Sequence, residues 1–230
     1  MPHMFCYTVE LKLQQLCRYN SFTKKELTAH RVRFSRQCVG LAPEAPLRQQ
    51  GPDRTHVLFI NRQHKAGRSI LTLAEAMTHF DSRGDEREAE LLNWADIIVV
   101  PHGATFGNIV FTARRSVIVH VSAGADHLHF NEAHIHEFDG VLNLSSIAVQ
   151  TAGIGGFDII SEKVLGEDSP LKRWTHRQVV ELITTGACPE GDKFCEGSNK
   201  VSRLGNYAVP SETLVSEVSK AIQLWRQLHR

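Results

Sequence analysis

No apolar run of about 18 residues, the length that a transmembrane helix needs, occurs in the 230-residue sequence. The formal net charge is only +1, so no charge excess indicates binding to nucleic acid or to a membrane surface. Neither a Gly-x-Gly-x-x-Gly nor a Gly-x-Ser-x-Gly motif occurs, which argues against a dinucleotide-binding dehydrogenase and an α/β-hydrolase. The composition, 42% hydrophobic and 22% charged, is that of an ordinary globular protein with one large domain or two small ones.

Cysteine is scarce, and its number is odd. The chain has five, Cys6, Cys17, Cys38, Cys188 and Cys195, so at least one thiol is free or paired with another chain. Cys188 and Cys195 could close a short loop by a disulfide, which would suit an oxidising lumen. Two unlinked loop cysteines fit the same spacing equally well.

Strands and helices alternate along most of the chain. The predicted strands are 56–60, 95–100, 117–121 and 141–149, and the predicted helices are 9–19, 69–80, 86–94 and an amphipathic C-terminal helix capped by Ser211. This alternation predicts an α/β fold with a Rossmann-like, mostly parallel sheet, flanking helices and a C-terminal helix. The sequon Asn143-Leu-Ser145 falls in the last predicted strand, so we expect Asn143 to be buried and unmodified.

Residues 95–112 carry the clearest chemical signal. The run Ile97 to Val100 predicts a strand buried on both faces, which Pro101-His102-Gly103 ends before a helix-like stretch, 104–112. A glycine turn lets the backbone approach a phosphate, and the first helical N–H groups point outward with the positive end of the helix dipole. Because open α/β sheets bind ligands at the carboxyl ends of their strands, we expect the ligand site here.

His102-Gly103-Ala104 together with Asn108 resembles the His-Gly-Ala-Gly-Leu-Thr-Asn box of family 61 glycosyltransferases, which include plant β-1,2-xylosyltransferases and animal O-GlcNAc transferases of secreted proteins. The helix and strand before the box and the strand after it look like those of the family. Upstream, a strand ending in Arg62, with Arg68 opening the next helix, is also similar. The likeness covers roughly residues 55–121, under half of the chain.

The resemblance implies a GT-B-type half that binds a UDP-sugar and transfers the sugar, with inversion, to a glycan or protein hydroxyl. It implies no cofactor and no metal, and it leaves the general base unidentified. The expected donor-binding residues are Arg62, Arg68, His102, Gly103, Ala104, Asn108 and His120. Residues 1–50 would be the remnant of a preceding domain and a linker, 51–150 the nucleotide-sugar-binding core, and 151–230 an extension completing the same domain.

Members of this family normally work in the Golgi or endoplasmic reticulum lumen, behind a leader or anchor. The first residues, Met1-Pro-His-Met-Phe-Cys6, lack the basic start and apolar stretch of such a segment. We therefore expect a fragment, an incomplete gene product or a relative that has left that pathway, and no membrane-spanning segment in this chain.

Several positions depart from the family pattern. Thr72 stands where the family has an Asn, and His120 stands where it usually has a glutamate that would hold the ribose. Phe106 and Gly107 replace a Leu and a Thr of the box. Thr72 and His120, together with the shortened N-terminus, favour the alternative, a catalytically inactive nucleotide-binding or interaction remnant. By residue type alone, the two arginines could be solvated loop residues and His102 could merely stabilise its turn.

Two histidine pairs raise the question of a metal site. They lie in Asp126-His127-Leu-His129 and His134-Ile-His136-Glu137, and on strands each pair would present both rings on one face. Closely spaced histidines are also common on polar surfaces, and GT-B transferases generally need no bound metal. We therefore predict no metal here.

Overall fold

A computed structural model describes residues 23–47, 55–61, 70, 72–77, 88–122, 125–151, 157–159 and 205–230. Four strands form one parallel sheet in the order of the chain: β1 (Val57–Phe59), β2 (Ile97–Pro101), β3 (Val117–Ser122) and β4 (Ser145–Gln150). A separate antiparallel pair is made of β5 (Phe157–Ile159) and β6 (Gly205–Tyr207). The parallel sheet with its helices confirms the predicted Rossmann-like α/β fold.

The central strands β2 and β3 are buried along their whole length. Their sequences are nearly continuous runs of Val and Ile, as expected for parallel strands covered on both faces. In their register, Ile97 lies opposite Val117, and Val100 lies opposite His120. The one imidazole in this run is therefore enclosed in the middle of the sheet.

Helices cover both faces of the sheet. They are α1 (Lys24–Cys38), α2 (Leu73–Met77), α3 (Glu88–Trp94), a 3-10 helix (Ala104–Phe111), α4 (Ala125–Leu142) and α5 (Ser211–Leu228). Ile98, Val100 and Ile118 pack with α1, α3, the 3-10 helix and α4. Their neighbours Ile97 and Val99 point to the opposite face and pack with α2 and α5, following the alternation of a strand.

Three details correct the sequence-based expectations. Residues 125–142 form a helix, so the strand predicted for 141–149 begins only at Ser145. Asn143, with φ 54°, ends the helix in a left-handed turn and is exposed, so its expected burial was wrong. Pro210, whose carbonyl accepts the N–H of Leu214 at 3.1 Å, caps α5 in place of Ser211.

The other predicted helices are confirmed in part. The helix predicted for 86–94 is present as α3, and within 69–80 the described residues contain the short α2. The helix predicted for 9–19 lies outside the described residues, as do Cys188 and Cys195.

Arg36 anchors α1 to α3 and to the end of the 3-10 helix from a fully buried position. Its Nε donates to the carbonyl of Ala42 at 2.8 Å, and its two terminal nitrogens donate to the carbonyl of Phe111 at 3.0 Å and to Asn93 Oδ1 at 2.5 Å. A third carbonyl, that of Thr112, lies 3.4 Å from the guanidinium. Burial lowers the pKa of Arg36. Hydrogen bonds to carbonyl oxygens therefore replace the water that this cation would otherwise need.

We expect Arg36→Met to lower the free energy of unfolding by about 3 kcal/mol, because it leaves three buried or part-buried carbonyl oxygens and the Asn93 amide oxygen without their donor. Urea unfolding measures this change. The matched control is Arg33→Ala in the same helix, whose exposed ion pair with Glu44 at 3.2 Å should contribute less than about 0.5 kcal/mol. Equal stability of the two variants would show that the Arg36 guanidinium does not anchor the helix.

Candidate functional site

The carboxyl ends of the four parallel strands meet at one edge of the sheet. Backbone bonds extend the pairing just beyond the strands: the N–H of His102 donates to Val121 at 2.8 Å, and that of Thr151 donates to Ser122 at 2.9 Å. Asn61 follows β1 at the same edge. This edge is where open α/β sheets place their ligands, and His102, Gly103 and Ala104 follow β2 there.

Gly103 makes the turn from β2 into the 3-10 helix. Its φ of 147° and ψ of −159° lie in a region essentially reserved for glycine, and the residue is buried. The N–H of Phe106 donates back to the Gly103 carbonyl at 3.0 Å, which closes the first turn. The predicted helix-like stretch is therefore a tighter helix of about three residues per turn, and half-buried Asn108 lies in its second turn. Ala104 begins this helix.

A buried hydrogen-bond chain joins β2, α4 and β3. Asn131 Oδ1 lies 2.7 Å from His102 Nδ1, and Asn131 Nδ2 lies 3.1 Å from His120 Nδ1. Asn131 and His120 are fully buried, and His102 is 8% exposed. Because the amide oxygen only accepts and the amide nitrogen only donates, His102 carries a proton on Nδ1 and neutral His120 carries its proton on Nε2. Asn131 therefore determines the tautomers of both imidazoles.

His120 is held neutral inside the protein. Burial, with the nearby His102 adding to it, lowers the pKa of His120 to about 4. Its ring meets that of Phe106 edge to face at 6.0 Å. Among the described residues, neither His120 Nε2 nor the buried hydroxyl of Ser122 has a hydrogen-bond partner. His120 thus lies in the protein interior beneath the candidate site, and Asn131 links it to His102.

Arg62 and Arg68 lie outside the described residues, but the chain on either side of them is held at the site. The side chain of Asn61 donates to the carbonyl of Ile70 at 2.9 Å and accepts the N–H of Ile70 at 2.8 Å. The segment that carries both arginines therefore leaves and rejoins the described structure at the carboxyl end of β1. Thr72, which replaces an Asn of the family pattern, donates its hydroxyl to the carbonyl of Val209.

Asn131, which links the two histidines, is not among the site residues predicted from the sequence. A signal was present, because Asn131 occupies the apolar stripe of α4 with Ile135, Phe138 and Leu142, spaced three and four apart. A polar residue at such a position needs a buried partner. The closely spaced histidines of this segment are typical of a polar surface, and they obscure the stripe.

The histidine pairs of 126–137 lie in α4 and not in a strand, so the two members of each pair do not share a face. His136 is exposed and His134 is half-buried. Among the side chains that the structure describes, no group of three or more His, Cys, Asp or Glu residues could hold a metal ion. The side chains of Asp126, His127 and His129 are not among them.

No known family model matches this chain, and no curated protein is similar enough to count as a relative. The likeness to family 61 glycosyltransferases therefore stays a prediction that rests on the residues quoted above. Within the described part of the chain, no helix has the length and apolar character required to cross a membrane.

Gly103→Ala should lower the free energy of unfolding by about 1–3 kcal/mol, because alanine is strained at this backbone conformation. Gly107→Ala, four residues along, is the control: Gly107 is exposed, and an added Cβ would meet nothing within 4 Å. Thermal or urea unfolding of both variants measures the difference. If Gly103→Ala were as stable as Gly107→Ala, the turn would not require glycine.

The low pKa of His120 should make the fold less stable in mild acid. Above a pH of about 6.5 the imidazole is neutral in both states; as the pH falls toward 4, only the unfolded chain binds the proton. The contribution of His120 to the free energy of unfolding should therefore drop by about 2 kcal/mol between about pH 7 and pH 5. Urea unfolding of the wild-type chain and His120→Gln at both pH values isolates it, since the other histidines are common to both. If the free energy of unfolding changed equally with pH in the two chains, the result would contradict a depressed pKa of His120.

Proposed function

We propose that this chain is the donor-binding half of a glycosyltransferase of GT-B type, which uses a UDP-sugar and transfers the sugar to a glycan or protein hydroxyl with inversion. One observation carries the proposal. The Gly103 turn and the hydrogen bonds between Asn61 and Ile70 bring the His102-Gly103-Ala104 box and the two ends of the segment that carries Arg62 and Arg68 to one edge of the sheet. This arrangement supports the proposal, because open α/β sheets bind ligands at the carboxyl ends of their strands.

The expected chemistry follows from these parts. The guanidiniums of Arg62 and Arg68 would pair with the diphosphate and stabilise the charge that develops on the leaving nucleotide. Gly103 lets the backbone approach closely, and the small Ala104 would leave room for the ligand. Inverting transfer also needs a general base beside the acceptor hydroxyl, and we assign this role to no residue.

His102 and His120 would support the Gly103 turn from inside the protein. Their hydrogen bonds with Asn131 hold the backbone that leads into the Gly103 turn, with His102 Nδ1 at 2.7 Å from the amide oxygen. We propose that His102 lies beside the donor. His120 would serve the site indirectly, because its ring is fully buried and neutral.

A lumen such as that of the Golgi or endoplasmic reticulum is the proposed place of action. Cys38, at the end of α1, is disulfide-bonded. Disulfides persist in oxidising compartments and are rare where glutathione keeps thiols reduced. This bond supports the luminal proposal independently of the residues that resemble the family.

The second candidate is a nucleotide-binding module without catalytic activity. Two observations favour it. His120, at the position of the expected ribose-binding glutamate, is enclosed in the sheet and bonded to Asn131. Thr72, at the position of the expected Asn, is bonded to the C-terminal segment through Val209. Both positions serve the fold where the family pattern has ligand-binding side chains.

Nucleotide binding is tested by calorimetry and thermal shift with UDP, UDP-sugars, GDP, ADP and NAD, since a ligand specific to the folded state raises the melting temperature. We expect selective binding of the UDP compounds. Arg62→Ala should weaken it by about 1.5–3 kcal/mol, or roughly 10- to 150-fold, through loss of a charge-assisted pair. Ala104→Trp should block binding while leaving the fold intact.

Arg33→Ala, on the exposed side of α1, is the matched control and should bind UDP as the wild-type chain does. Absence of binding by every nucleotide would overturn both candidate functions. Where UDP binds, release of UDP together with transfer of the sugar to a glycan or glycoprotein acceptor separates the enzyme from the non-catalytic module.

A further inference from the structure

Asn143-Leu-Ser145 is the only Asn-x-Ser/Thr sequence in the chain. The asparagine is exposed, whereas the intervening Leu144 is 7% exposed and packs in the core on the α4 side of the sheet. The tripeptide therefore presents its acceptor side chain to solvent and holds its middle residue inside. This is the arrangement that a glycosylated asparagine requires in the folded state, because the glycan must remain outside.

The backbone at Asn143 is also suited to this role. It has φ 54°, a left-handed conformation that asparagine tolerates better than most residues, and its N–H donates to the carbonyl of Asp139 at 2.7 Å. Its side-chain amide forms no hydrogen bond with the described residues. A sugar attached to that amide would therefore break no internal contact of the described structure.

A glycan on Asn143 would leave the candidate ligand site uncovered. Asn143 precedes β4, so it lies at the amino end of the parallel sheet, whereas the candidate site lies at the carboxyl end. The six residues of β4 span about 20 Å. The neighbouring Gly140 and Ser146 are exposed as well, which leaves space around the amide. A glycan here would cover the end of the sheet away from the donor.

We propose that Asn143 is an N-glycosylation site. Asn143 Nδ2 forms a bond with the anomeric carbon of an oligosaccharide carried on a lipid diphosphate. The bond from that carbon to the phosphate oxygen breaks, the amide loses one proton, and the lipid diphosphate leaves. The inference rests on the proposed function for one point only, the luminal location in which this donor is met.

The test is translation of the full chain, fused behind a cleavable secretory leader, in the presence of microsomes. Only chains that the microsomes protect from added protease are scored. A second form of the chain carries an Asn-Gly-Thr extension after Arg230, and glycosylation of that extension is its internal positive control. The informative variants are Asn143→Gly, which retains a residue suited to the left-handed turn, Ser145→Ala, which removes the sequon without touching Asn143, and Ser145→Thr, which restores it.

We expect the protected wild-type and Ser145→Thr chains to lose one glycan on treatment with an N-glycosidase, and Asn143→Gly and Ser145→Ala chains to be unchanged. Protected tagged chains that carry a glycan on the extension alone would overturn the inference. UDP thermal shifts, measured on the wild-type and Asn143→Gly chains, report separately on the proposed function. A glycan without any UDP shift would refute that function while the modification site stands.

Discussion

Burial of β2 and β3 on both faces is the constraint on which the rest of this structure depends. Water does not reach the middle of these strands, so each polar group there needs a partner within the protein. The strands carry apolar side chains along most of their length, although His120 Nε2 and the Ser122 hydroxyl of β3 have no hydrogen-bond partner among the described residues. Polar side chains at their borders are bonded instead: Asp96 accepts the N–H of His56 at 2.8 Å, and Arg36 donates to carbonyl oxygens around the 3-10 helix.

The same constraint connects the fold to the candidate site. Where β2 ends, the chain turns at Gly103, and buried His102 lies at the carboxyl edge of the sheet. His102 is kept in place there because Asn131 reaches from α4 and bonds to it and to His120 together. A buried chain of this kind is rigid and sensitive to the loss of any member, since a remaining member would be left without its partner. The backbone that leads into the Gly103 turn is therefore held by buried side chains of α4 and β3.

Much of the fold could be predicted because its signals are local. The apolar run 97–100 indicated a strand buried on both faces, and the strand at 117–121 and the C-terminal helix followed from their periodicity. Helix α4 was missed because its histidines resemble a polar surface, which hid the stripe of Asn131, Ile135, Phe138 and Leu142. The ends of elements were also less predictable, since Asn143 and Pro210 terminate helices through backbone geometry.

By itself, the sequence determined the class of fold and the glycine turn after β2, because these depend on local hydrophobic pattern and on glycine. Only the tertiary structure decided which side chains meet. It placed Asn131 between two histidines, buried His120, which was expected to bind the donor, and exposed Asn143, which was expected to be buried. Pairing and burial depend on the packing of α4 against β3, between residues far enough apart that no local pattern specifies their contact.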